Sequence, residues 1–157
     1  WAFFLLTNRM QRKYLNNRDL KEIVIKRVGE PLFKYSYDYV GDLAETISLL
    51  WEEKNRDETF KVLFLPRVDD LPEDASGVLG YQVKELGLEE EIIAVISPDS
   101  RGPGYGMRRY NDNQTIDFSK IDSELDVHFA HARGFIAKTS TTETERLKFL
   151  LKKALVE

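Results

Sequence analysis

The hydrophobic positions change rhythm partway along the chain. Leu20, Ile23, Val24 and Arg27 fall at i, i+3, i+4 and i+7, with Ile25 and Val28 beside them, which predicts an amphipathic helix. Asn17 can cap its start, Asp19 and Glu22 suit its positive end, and Gly29 with Pro31 stops it. Leu43, Ile47, Leu50 and Trp51 repeat the helical spacing, with Asp42, Glu45, Glu52 and Glu53 on the polar face, and predict a second helix. The polar run from Glu52 to Glu58 then marks a boundary. It separates a helical segment, residues 1–58, from a second domain, residues 59–157.

Shorter apolar runs follow the boundary. Phe60 to Leu65 reads as a strand closed by Pro66, and Glu91 to Ile96 as another. The second run is apolar continuously rather than alternately, as in a strand buried on both faces. Ala75 to Leu86 reads as a helix ended by Gly87. Tyr105 to Tyr110, Val127 to Ala130 and Gly134 to Lys138 read as further strands, and Asp117 to Ile121 as a short turn or helix. Thr141 or Thr142 is expected to cap a last helix whose inner face is Leu147, Leu150, Leu151 and Leu155. The fold class expected is α+β, or α/β: a helical amino-terminal segment, then a small mixed sheet with flanking helices.

Composition narrows the class. A chain of 157 residues, 42% hydrophobic and 32% charged, is globular and makes one domain or two small ones. No apolar run approaches the roughly 20 residues of a spanning helix. The lack of cysteine excludes disulfides and thiolate metal sites and fits a reducing cytoplasm. The opening residue is Trp1 rather than Met, which reads as a processed chain or a fragment. The net charge of −4 arises entirely after the boundary, because residues 1–58 carry 10 basic and 10 acidic side chains. A non-specific polyanion binder is usually basic, so any nucleic-acid contact must come from a local patch. Arg9, Arg12, Lys13 and Arg18 are such a patch, with Tyr14 among them, and suit a DNA backbone.

Candidate chemistry gathers between Gly104 and Thr139. This stretch holds both histidines, His128 and His131, the pair Arg108-Arg109, and Gly134. A guanidinium binds phosphate bidentately, an imidazole adds a donor that titrates near neutrality, and glycine lets backbone approach a ligand. Alternation along a strand lets only one of Arg108 and Arg109 face such a site. The two histidines read either as ligand-facing groups or as satisfied histidines at a strand end. They bring no third or fourth ligand at metal spacing, and no nucleophile with its base can be assigned.

Two resemblances add to this reading. Residues 1–53, with Trp1-Ala2 through Leu6-Thr7, then Arg9, and the run Val40-Gly41-Asp42-Leu43-Ala44-Glu45-Thr46-Ile47-Ser48-Leu49-Leu50, resemble the helical DNA-binding region of bacterial ATP-dependent DNA ligases. That resemblance implies DNA-backbone contact. The Lys-x-Asp-Gly motif of ligase chemistry does not occur in this chain. Residues 59–157 resemble the carboxy-terminal substrate-binding domain of DHH-family phosphoesterases. The likeness rests on Ser76 to Tyr81, Met107 to Tyr110, Ile116 to Ile121 and Phe129 to Thr139. It implies a nucleotide or short oligonucleotide as ligand, with Arg108 or Arg109, His131, His128 and Gly134 at the phosphate. It also implies a manganese-bearing catalytic domain, which would lie outside this chain, since no Asp-His-His occurs here. Where many members have a Gly-Gly-Gly-His loop, this chain has Asp126-Val127-His128-Phe129-Ala130-His131.

Overall fold

The structure, a computed structural model, describes residues 45–51, 58–67, 90–99 and 101–156, with isolated positions between Lys21 and Gly87. The chain divides into two compact units. One comprises Trp1–Ala44 with Val68–Glu90, the other Glu45–Arg67 with Glu91–Glu157. The cations Arg9, Arg12, Lys13 and Arg18 lie outside the described residues, as does most of the expected amino-terminal helical segment. Lys21, Glu22, Ile23, Ile25 and Lys26 are helical, consistent with a helix there.

The second unit is built on a six-stranded mixed sheet, an α+β arrangement. Its strands are β1 (Glu45–Trp51), β2 (Glu58–Phe64), β3 (Ile92–Pro98), β4 (Tyr105–Arg109), β5 (Val127–Ala130) and β6 (Ile136–Thr139). They lie in the order β1-β2-β3-β4-β6-β5. Only the β2–β3 pair is parallel. A parallel pair needs a long crossover, and residues 65–91 provide it. The helix expected over Ala75 to Leu86 falls there, outside the described residues except for Val83, which is helical and buried.

The helix expected around Leu43 to Trp51 is, over its described residues Glu45–Trp51, a strand instead. Ile47 and Leu49 are buried while Glu45, Thr46 and Ser48 are exposed, which is period two. Seven residues of β1 pair with β2, Ile47 opposite Val62 and Leu49 opposite Phe60. In so short a stretch, helical and alternating patterns overlap, and the hydrogen-bonding edge of β2 decides between them. The continuous run in β3 behaves as expected: Ile92 to Ile96 are all buried, at the centre of the sheet.

Helix α1 (Thr144–Ala154) and a 3-10 turn (Phe118–Ile121) cover one face of the sheet. Leu147, Leu150, Leu151 and Ala154 recur at i, i+3, i+4 and i+7, and all are fully buried. Burying the three leucines contributes about 1.5–3 kcal/mol each as an upper estimate. The threonine cap expected for this helix is absent. Glu143 is the capping residue and makes no side-chain cap bond, while Thr141 Oγ1 accepts from Glu143 N at 3.2 Å. Arg146 on α1 grips Asp126 with two bonds, at 2.7 and 2.8 Å, and Glu124 at 2.8 Å, tying the helix to the approach to β5.

Among the described residues no helix is long and apolar enough to cross a membrane.

Candidate functional site

Alternation sorts the candidate residues onto two faces. Met107 on β4 and Ala137 on β6 are fully buried in the core beneath α1. Their strand neighbours Gly106, Arg108, Ile136 and Lys138 therefore stand on the opposite face. Register aligns them in two rows. Gly106 pairs with Lys138, and Lys138 with Phe129; Arg108 pairs with Ile136, whose carbonyl accepts from His131 N at 3.0 Å. Strand β5 shifts register between Val127 and Phe129. The irregularity leaves Val127 in the core and sets both His128 and Phe129 outward, where each is exposed.

Arg108, Lys138, His128 and His131 thus share one face, together with Phe129. Gly106 opens the floor between them: among the described residues, a methyl added there would meet only Ala137 O and Ser97 O, each at 3.9 Å. Beside the floor sits Asp99, whose side chain is 2% exposed. It accepts from Arg101 N at 3.0 Å, and it holds Lys138 Nζ at 4.0 Å and His128 Nε2 at 3.6 Å. Asp99 is thus a carboxylate approached by both Lys138 and His128.

The glycine-rich loop before β4 closes on a side chain that the sequence did not single out. Arg67 Nη2 donates to Asp99 O, Gly102 O and Gly104 O at 2.9, 2.8 and 2.6 Å. Asp99 N donates to Gly104 O at 3.0 Å, completing a turn around the guanidinium. A side chain at Gly104 would overlap Thr139 O and crowd Ser140, so only glycine fits against that backbone. Arg67 also anchors from behind, its N–H donating to Tyr105 Oη at 2.9 Å.

Arg109 and Gly134 belong to a different assembly. The Arg109 side chain is 9% exposed and ties the chain together internally. Its Nε donates to Ile116 O at 2.7 Å and its Nη1 to Arg133 O at 3.3 Å, with Asp112 at 3.5 Å. Gly134 has φ +76°, and a β-carbon there would overlap Asp117 Oδ1. Its own N–H donates to His131 O at 2.8 Å, closing the β5–β6 turn. Asp117 accepts from Ser119 N at 2.9 Å and Ser119 Oγ at 2.6 Å. The Ser119 hydroxyl in particular holds its carboxyl below the usual range, against the opposing effect of burial, with Arg109 and Lys120 adding to the lowering.

His131 occupies the same turn as Gly134 but is oriented by Arg133. Its Nδ1 accepts from Arg133 N at 3.1 Å, which leaves the proton on Nε2. Its ring lies 4.3 Å from that of Phe135 and 6.4 Å from that of Phe129. The residues that sequence reasoning missed are Lys138, Asp99, Phe129 and Arg67. Lys138 was accessible by alternation from Ala137. Asp99 and Arg67 carry no local signal, since only the loop closure brings them to the site.

Among the described residues, no group of three His, Asp or Glu side chains could hold a metal ion. Asp99 and His128 are a pair only, with the Lys138 ammonium beside them, so this donor set does not fit manganese. Compared with protein-family models, with curated proteins and with solved structures, the chain matches none.

Proposed function

We propose that the sheet unit is a binding module for phosphate esters, holding a nucleotide or short oligonucleotide against the outer face of β4, β6 and β5. In this reading it serves a cytoplasmic phosphoesterase of the DHH type, whose metal-bearing catalytic domain lies outside this chain. The observation that carries it is the gathering of Arg108, Lys138, His128 and His131 around the side-chain-free floor at Gly106. A guanidinium and an ammonium supply charge-assisted bonds to phosphate oxygens, and the imidazoles supply further donors. Asp99 would hold Lys138 and His128 in place from below. Calorimetric titration of the full chain with a dinucleotide tests the reading. Arg108→Ala with Lys138→Ala should weaken binding at least about tenfold, from the loss of hydrogen bonds to a charged group. A lack of binding by the unsubstituted chain would overturn it.

The basic run Arg9, Arg12, Lys13 and Arg18, with its ligase-like surroundings, supports a second reading in which the amino-terminal segment contacts DNA backbone. Duplex affinity should then fall steeply with salt, and the slope should lessen when Arg12 and Lys13 are neutralised.

A further inference from the structure

We infer that the proposed phosphate face also selects for a nucleobase, which stacks on an aromatic surface formed by Phe129, His131 and Phe135. Phe129 and Phe135 are 44% and 41% exposed. Their rings flank the His131 imidazole at 6.4 and 4.3 Å, edge-on and tilted respectively, so the three form one continuous aromatic surface. A single exposed phenylalanine needs no explanation, but this surface abuts the cations. Phe129 is the direct cross-strand partner of Lys138, and neighbours so placed are about 5 Å apart. A base and its phosphate are separated by one sugar, so Lys138 and Phe129 can engage the two ends of one nucleotide. His131 contributes an oriented donor beside Phe129, because the Arg133 N–H occupies Nδ1 and leaves the proton on Nε2. Aromatic side chains on the outer face of a sheet accept unstacked bases of any identity. A duplex keeps its bases stacked inside, so the ligand is a mononucleotide or the end of a single strand, in preference to inorganic phosphate, a sugar phosphate or duplex DNA.

This inference rests on the phosphate-binding reading, and the two can be separated. The full chain is titrated with AMP, with ribose 5-phosphate and with inorganic phosphate. AMP should bind roughly tenfold more tightly than ribose 5-phosphate, the gain of one stacked base. Phe129→Ala should abolish that preference while leaving the ribose 5-phosphate affinity and the melting temperature unchanged, and Phe129→Tyr should restore it. Equal affinity for AMP and ribose 5-phosphate in the unsubstituted chain overturns the stacking inference alone. So does a preference that survives both Phe129→Ala and Phe135→Ala. Binding of none of the three ligands overturns the phosphate-binding reading and the inference with it.

Discussion

Replacing Gly134 by alanine tests the logic of the β5–β6 turn. The backbone there has φ +76°, a region that costs an L-residue about 1–2 kcal/mol. The added methyl also falls on Asp117 Oδ1, and Arg109 Nη2 is 3.4 Å from it. The Asp117 carboxylate must then rotate, breaking its bonds from Ser119 N and Oγ. Hydrogen bonds to a charged group contribute about 1.5–3 kcal/mol. With both bonds lost, the total cost is at least about 4 kcal/mol, a large share of the roughly 5–15 kcal/mol that holds a typical domain folded. For a unit of this size that lowers the melting temperature by more than about 10 °C. Thermal and urea unfolding of four proteins settles the cause: the parent, Gly134→Ala, Asp117→Ala and the double variant. If the overlap with Asp117 is responsible, Gly134→Ala should cost only about 1–2 kcal/mol in the Asp117→Ala background. The same cost in both backgrounds would refute the overlap. A Gly134→Ala variant as stable as the parent would refute the strain as well.

Two other glycines should behave oppositely. Gly104→Ala pushes a methyl into Thr139 O and should destabilise the unit by at least about 2 kcal/mol in chemical unfolding. Among the described residues, Gly106→Val meets nothing closer than 3.9 Å at its β-carbon, so its melting temperature should stay near the parent's while dinucleotide affinity drops, as calorimetry would report. Stability should also depend on acid in a defined direction. Ser119 hydrogen bonds lower the Asp117 pKa, and Arg146 hydrogen bonds lower that of Asp126. Folded values below the ordinary 3.8 mean that the stabilisation is complete above that pH and is lost as pH falls through the folded values. Melting temperature should therefore be level from neutrality to about pH 5 and fall below about pH 4. Asp117→Asn should melt lower at pH 7 and show a shallower acid slope, and an unchanged slope would remove Asp117 from the account.

Several elements were legible because their signals are local. The apolar run Ile92 to Ile96 could be nothing but a buried segment, and it is the centre of the sheet. The leucines of α1 repeat at a spacing that only a helix turns to one side. Arg108 and Arg109 could be separated in principle, since neighbouring strand residues point oppositely, but not assigned. Assignment needed Met107 to be on the core side, a fact of packing. Residues 45–51 misled because Leu43, Ile47, Leu50 and Trp51 also satisfy a helical period, and only an available partner strand favours the extended form.

The sequence by itself determined a mixed fold, the central strand, the last helix and the stretch in which cations, histidines and glycines concentrate. These follow from periodicity and residue chemistry, which act over a few positions. The tertiary structure decided which of them meet. Register put Lys138 beside Gly106 and Phe129, and a bulge turned His128 outward. Loop closure on Arg67 carried Asp99 to His128 of β5 and Lys138 of β6. Those contacts join residues about thirty or more positions apart, a separation that no local pattern encodes. They exist because burying the sheet and satisfying its backbone fixes one arrangement of strands.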